Sequence, residues 1–215
     1  MPEIPNKKRL VHYGCGLDAP EEWINFDASP AIRLQHNPVS NFLLRPIFNV
    51  RFPKSIRYGD IVKGLPVEKN SCDAIYCSHV LEHLSLDDFR KALRNTYDIL
   101  KTGGIFRLVM PDLEAFARNY LMAMKTNSSA SILFLENTFL GKKNRPRNLK
   151  EILSSFWGNS THLWLWDNAS ATHELEQTGF RDIRKCFFND SALQEFKLVE
   201  NKDRFENSIS MEMTK

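Results

Sequence analysis

In the first half of the chain, short β-type runs recur, separated by loops or helices rather than by tight turns. This alternation restricts the possible folds more than any other feature. Leu10-Val11-His12-Tyr13 runs into Gly14-Cys15-Gly16, and Trp23-Ile24-Asn25-Phe26 ends at Asp27. Ser55-Ile56-Arg57-Tyr58 is followed by Gly59-Asp60, and Asp73 opens Ala74-Ile75-Tyr76-Cys77. Strands connected in this way pair in parallel, so an α/β sheet is expected. Phe89, Leu93, Tyr97 and Leu100 form one apolar face of a helix over Asp87 to Lys101. Ser85 and Asp88 read as its capping box, Gly103-Gly104 as its stop, and Ile105 to Met110 as a fifth strand.

From Asp112 the alternation lapses. Helices over Leu113 to Lys125 and Ile132 to Leu140 precede a basic loop carrying Lys142, Lys143, Arg145, Arg147 and Lys150. Asp112 to Thr161 is read as a helical insertion over the sheet within one domain spanning 1–215. Asp167 or Asn168 caps a last helix that stops at Gly179, and Phe180 to Phe188 and Ile209 to Met213 are two closing strands that, with only a short connection between them, are able to pair antiparallel.

A chain of 215 residues and 25.0 kDa buries roughly 70% of its unfolded surface, enough for a core without metal or disulfide staples. Cys15, Cys72, Cys77 and Cys186 form no C-x-x-C pair and read as reduced thiols. No apolar run is long enough for a membrane span, and no signal core follows the basic stretch Met1 to Arg9, so a cytoplasmic location is expected. A net charge of +3 does not call for a nucleic-acid partner.

Several residues can carry chemistry. Gly14 and Gly16 allow a sharp turn and close approach of the backbone to a ligand. An acid such as Asp27 at a strand tip accepts hydrogen bonds from ribose hydroxyls, and Asp60 can reach the same sheet edge. His79-Val80-Leu81-Glu82-His83 spells H-x-x-E-H, a zinc-hydrolase pattern. That pattern belongs inside a regular helix, whereas His79 directly follows a strand and a new helix starts at Ser85. His162, beside Trp164 and Trp166, can line an aromatic pocket as a general base.

In this order, the segments Leu10 to Gly16, Trp23 to Asp27, Asp73 to Leu84, Ile99 to Gly104 and Val109 to Glu114 resemble a class I S-adenosylmethionine-dependent methyltransferase of the type 11 branch. The resemblance implies a Rossmann-like seven-stranded sheet of order 3-2-1-4-5-7-6 with its last strand antiparallel. It implies S-adenosylmethionine as cofactor, with Gly14 and Gly16 at the methionine part, Asp27 at the ribose, and Asp60 and Ile61 at the adenine. Cys77 or Ser78 would close over the sulfonium, and Tyr13, Cys15 and His79 complete the cofactor set. His162 and His83 are the expected catalytic bases, and the acceptor is a small molecule or saccharide, methylated on oxygen. A divalent metal assisting through His79, Glu82, His83 and His162 is a lesser alternative under the same resemblance; no metal ligand and no oligomeric state are assigned.

The sequence departs from the family in three places. His12 stands where an acidic residue is usual, Asp18 falls near the third motif glycine, and the first crossover helix is nearly absent. A non-catalytic cofactor-binding subunit is therefore the alternative function, and a zinc hydrolase through His79, Glu82 and His83 the third.

Overall fold

The computed structural model describes residues 8–44, 51–144 and 161–215. Its sheet has seven strands: β1 (Leu10–Tyr13), β2 (Ile24–Asp27), β3 (Arg57–Tyr58), β4 (Cys72–Ser78), β5 (Leu100–Pro111), β6 (Arg181–Lys185) and β7 (Ser208–Thr214). They lie in the order β3-β2-β1-β4-β5-β7-β6, the order the resemblance implies. β1 to β5 pair in parallel, and β7 runs antiparallel to both β5 and β6.

All four residues of β1 are buried, because both faces of the sheet are covered. One face packs Val11, Tyr13, Ile75, Cys77, Phe106 and Leu108 under α3 (Leu86–Ile99) and the C-terminal helix α6 (Asn168–Thr178). Arg90 clamps these helices together through two hydrogen bonds to Glu174. The other face packs Leu10, Ala74, Tyr76 and Val109 against Trp23, Phe196 and Val199. Here the cover is not a helix layer. It includes the 3-10 turn Gln194–Leu198, with a second turn, Lys202–Phe205, adding Phe205; both lie in the connection between β6 and β7. That connection is longer than the short link expected from sequence.

Helix ends follow local chemistry. Ser85 accepts from the Asp88 amide, which is one half of the expected capping box. The reciprocal box is at α6, where Asp167 and Ser170 bond each other's amides and Gly179 closes the helix at φ 110°. α3 stops earlier than expected, at Ile99, and β5 begins at once. Leu100 pairs with Cys72 before Ala74 pairs with Ile105, so Gly103 and Gly104 sit in a bulge of β5 instead of ending the helix.

No helix joins β1 to β2, in keeping with the shortened crossover. Between β2 and β3 lie α1 (Pro30–His36) and α2 (Pro38–Leu44), which periodicity did not reveal. After β5 come α4 (Leu113–Ala123) and α5 (Ala130–Asn137), close to the expected pair. Arg145, Arg147 and Lys150 of the basic loop lie outside the described residues. Among the described residues, no helix is long and apolar enough to cross a membrane.

Candidate active site

The glycine loop leaves the carboxyl end of β1. Gly14 and Gly16 both take left-handed backbone angles, φ 68° and φ 57°. Around Gly16 there is open space where a Cβ would stand, whereas a Cβ on Gly14 would overlap the Val80 side chain. Asp27, at the tip of β2, stitches the loop in place: its Oδ2 accepts from the Gly16 amide at 3.0 Å and its Oδ1 from the Ser29 amide at 2.8 Å. Asp60 Oδ1 accepts from the Val62 amide, and Asn95 donates to the carbonyls of Ile61 and Val62, fixing that turn against α3. Gly14, Gly16, Asp27 and Asp60 are all partly exposed at the strand ends. An unobstructed glycine loop beside an ordered carboxylate suits a nucleoside with ribose hydroxyls.

Other expected members of the set face inward. Cys77 is fully buried and Tyr13 nearly so, with the Tyr13 hydroxyl 3.1 Å from Thr96 Oγ1. Cys15 packs with Ile32 and Ile56, and burial, with the Asp27 charge adding, pushes its thiol up to about 12. Burial likewise raises the Cys77 thiol well above its usual range. These three side chains are packed into the core. Ile61 is also mostly buried, while Ser78 and His79 are half-buried at the end of β4.

A second cluster lies just beyond Val80. His79 holds a positive φ of 54°, which breaks β4 and turns its ring back toward the β6–β7 connection. Its amide bonds the Val109 carbonyl, and its Nε2 lies 2.8 Å from the carbonyl of Arg204. Leu81–His83 is a single 3-10 turn, so H-x-x-E-H does not present its histidines from a regular helix. The Glu82 carbonyl accepts from the amides of both Leu163 and Trp164, which draws the segment returning after the insertion onto this turn.

That contact brings together residues far apart in sequence. His83 and His162 rings stand edge to face at 4.9 Å, with Phe139 at 5.2 Å from His162. The Glu82 carboxylate is completely buried, 3.4 Å from His79 Nδ1 and 3.9 Å from His162 Nε2. Burial lowers the affinity of His162 for a proton, opposed by the charge of Glu82. A cavity of about 290 Å³ opens here, with His79, Glu82, His83, Phe116, Phe139 and His162 in its wall and Arg204 and Ser208 at one side. Phe116, Phe139 and Arg204 carry no motif, so the sequence alone did not single them out.

Residues 13–108 match the family described as a methyltransferase domain. The fold is shared with a SAM-dependent methyltransferase of Thermotoga maritima, at TM-score 0.50 and 18% identity, covering 96% of this chain and 82% of that one. A structure of the Haloferax volcanii Trm112 methyltransferase activator with a methyltransferase matches at TM-score 0.50 and 15% identity, over 97% and 82% of the two chains. No curated protein matches the sequence.

Proposed function

We propose that this chain transfers the methyl group of S-adenosylmethionine to a hydroxyl of a small-molecule or saccharide acceptor in the cytoplasm. The observation that carries the reading is the contact of Gly14 with Val80. The glycine loop is thereby one residue away from His79 and two from Glu82, so a ligand lying along the loop ends beside the histidine-lined cavity.

In this reading Gly14, Gly16, Asp27 and Asp60 hold the cofactor, and the region 112–161 contributes α4, α5 and Phe139 to the acceptor pocket. The cofactor supplies an electrophilic methyl on a positively charged sulfur. The protein's task is alignment, exclusion of water and removal of one proton. His83 and His162 activate the acceptor hydroxyl, one of them taking its proton as the new O–C bond forms and the S–C bond breaks.

A thermal melt with S-adenosylhomocysteine tests the cofactor site. Ligand at one hundred times its dissociation constant adds about 2.7 kcal/mol, a rise of about 5–10 °C for this size. No rise would sink the proposal. For catalysis, His83→Ala and His162→Ala should each lower kcat by roughly 10²-fold or more with the true acceptor. The absence of an acid at His12 favours a second reading, a cofactor-binding subunit without turnover; production of S-adenosylhomocysteine from S-adenosylmethionine by the pure chain eliminates it.

A further inference from the structure

We infer that the helical hairpin formed by α4 and α5 is a docking surface for a lipid bilayer carrying anionic headgroups. The inference concerns the outer side of the hairpin and does not depend on the methyl-transfer reading.

The first observation is how little the hairpin buries. From Leu113 to Asn144 only Ala130 and Thr138 are buried. Near the end of α4, Leu121 is 57% exposed and Met122 55%, and in α5 Ile132 is 58% exposed. Leu133 and Leu135 are exposed beside it. Tyr120 and Phe134 meet across the two helices with ring centroids 5.5 Å apart, so the hairpin is held together from within while its aliphatic side chains point to water. Five of the eight residues of α5 are apolar. A helix of this composition is expected under cover, and large apolar side chains grouped on a surface mark an interaction site.

The second observation is the charge around those side chains, and it selects the occupant. Residues 113–144 carry four cations, Arg118, Lys125, Lys142 and Lys143, and two anions, Glu114 and Glu136, a net charge of +2. Both carboxylates are already paired, Glu114 with Arg118 and Glu136 with Lys143. Lys125, just after α4, and Lys142, just after α5, are exposed and have no ion pair among the described residues. Exposed aliphatic residues flanked by unpaired lysines, with no unpaired acid, complement an anionic bilayer. The aliphatic groups enter the acyl boundary, the lysine stems lie along it, and their ammonium groups meet lipid phosphates. A second copy would oppose two cationic hairpins, and a neutral apolar partner would leave both lysines unanswered.

The third observation is continuity with the acceptor cavity. Phe139, 53% exposed just beyond α5, also stands in the cavity wall with Phe116 and Asn137. Docking of the hairpin therefore brings one wall of that cavity to the lipid.

The test is co-sedimentation of the full chain with phosphatidylglycerol–phosphatidylcholine vesicles and with phosphatidylcholine vesicles alone. Partitioning onto the anionic vesicles should be roughly tenfold stronger or more, and should weaken with salt. Ile132→Ser with Leu135→Ser should lower it roughly tenfold or more, and Lys125→Gln with Lys142→Gln should remove most of the preference for anionic lipid. A gain of signal guards against misfolded variants. All four native cysteines are buried, so Ile132→Cys can be labelled with an environment-sensitive fluorophore, whose emission should shift to the blue on anionic vesicles. No binding to anionic vesicles, equal binding by the serine variant, or an unshifted fluorophore overturns the inference. So does self-association in sedimentation velocity that the serine substitutions abolish, which gives the face to a second copy. An S-adenosylhomocysteine melt in parallel reads the cofactor site separately: a cofactor shift without vesicle binding rejects the docking surface and leaves the methyl-transfer reading standing.

Discussion

Gly14 and Val80 are in direct contact, and a methyl group on Gly14 would occupy the space of the Val80 side chain. Through this contact the glycine loop after β1 is pressed onto the turn that carries Glu82 and His83. The loop and the turn are therefore a single packed unit, and their substitutions should be coupled.

Gly14→Ala should destabilise the fold by about 2–4 kcal/mol, from overlap and from the left-handed φ together. Val80→Ala in the same chain should recover the overlap part and leave the backbone part. Gly16→Ala, with open space around it, should cost only about 1–2 kcal/mol, from its φ alone. Urea denaturation of the four proteins distinguishes these contributions.

Asp27→Asn should weaken S-adenosylhomocysteine binding roughly tenfold or more, through loss of a charge-assisted acceptor. The fold should lose about 1 kcal/mol, because the carboxamide can accept from only one of the Gly16 and Ser29 amides. Calorimetry of ligand binding beside a chemical melt separates the two effects.

Arg107 is fully buried in β5 and paired with Glu200, with Asp190, Glu212 and the Phe187 carbonyl around it. Arg107→Met should cost about 3–5 kcal/mol by leaving Glu200 buried without its partner. Arg107→Met with Glu200→Gln should regain a large part. Because this network anchors the β6–β7 connection, whose Arg204 carbonyl holds His79, the single variant should also lose affinity for the acceptor.

His12 should make the protein acid-sensitive. Burial between Trp23 and Tyr76 lowers its pKa from 6.5 to about 3, with Asn25 opposing weakly. The unfolded chain thus takes up a proton below about pH 6.5 that the folded chain refuses, so stability falls with pH through that window, by about 1.4 kcal/mol per unit. His12→Phe should be less sensitive by about 2 kcal/mol between about pH 7 and about pH 5, measured by urea denaturation. Equal slopes for the two proteins would contradict the assignment.

Much of this architecture was legible in the chain. Leu10–Tyr13, Phe89 and Leu93 with their periodicity, and Asp167 with Gly179 gave strand, helix and caps because their signals are local. Gly14, Gly16 and Asp27 likewise marked the strand ends, where side-chain type and turn requirement coincide. α1 and α2 escaped because each is a single short helix of seven residues opened by a proline.

What the sequence by itself determined was the order of elements along the sheet, since hydrophobic period and turn chemistry act between neighbours. Only the tertiary structure decided which chemistry-bearing residues meet. The Glu82 carbonyl captures Leu163 and Trp164, and so His162 is brought to His83 from far along the chain. Only the tertiary structure, too, put Cys77 into the core and left the buried Glu82 carboxylate without a hydrogen-bond partner among the described residues. Burial and pairing are properties of the packed whole, and no spacing along the chain encodes them.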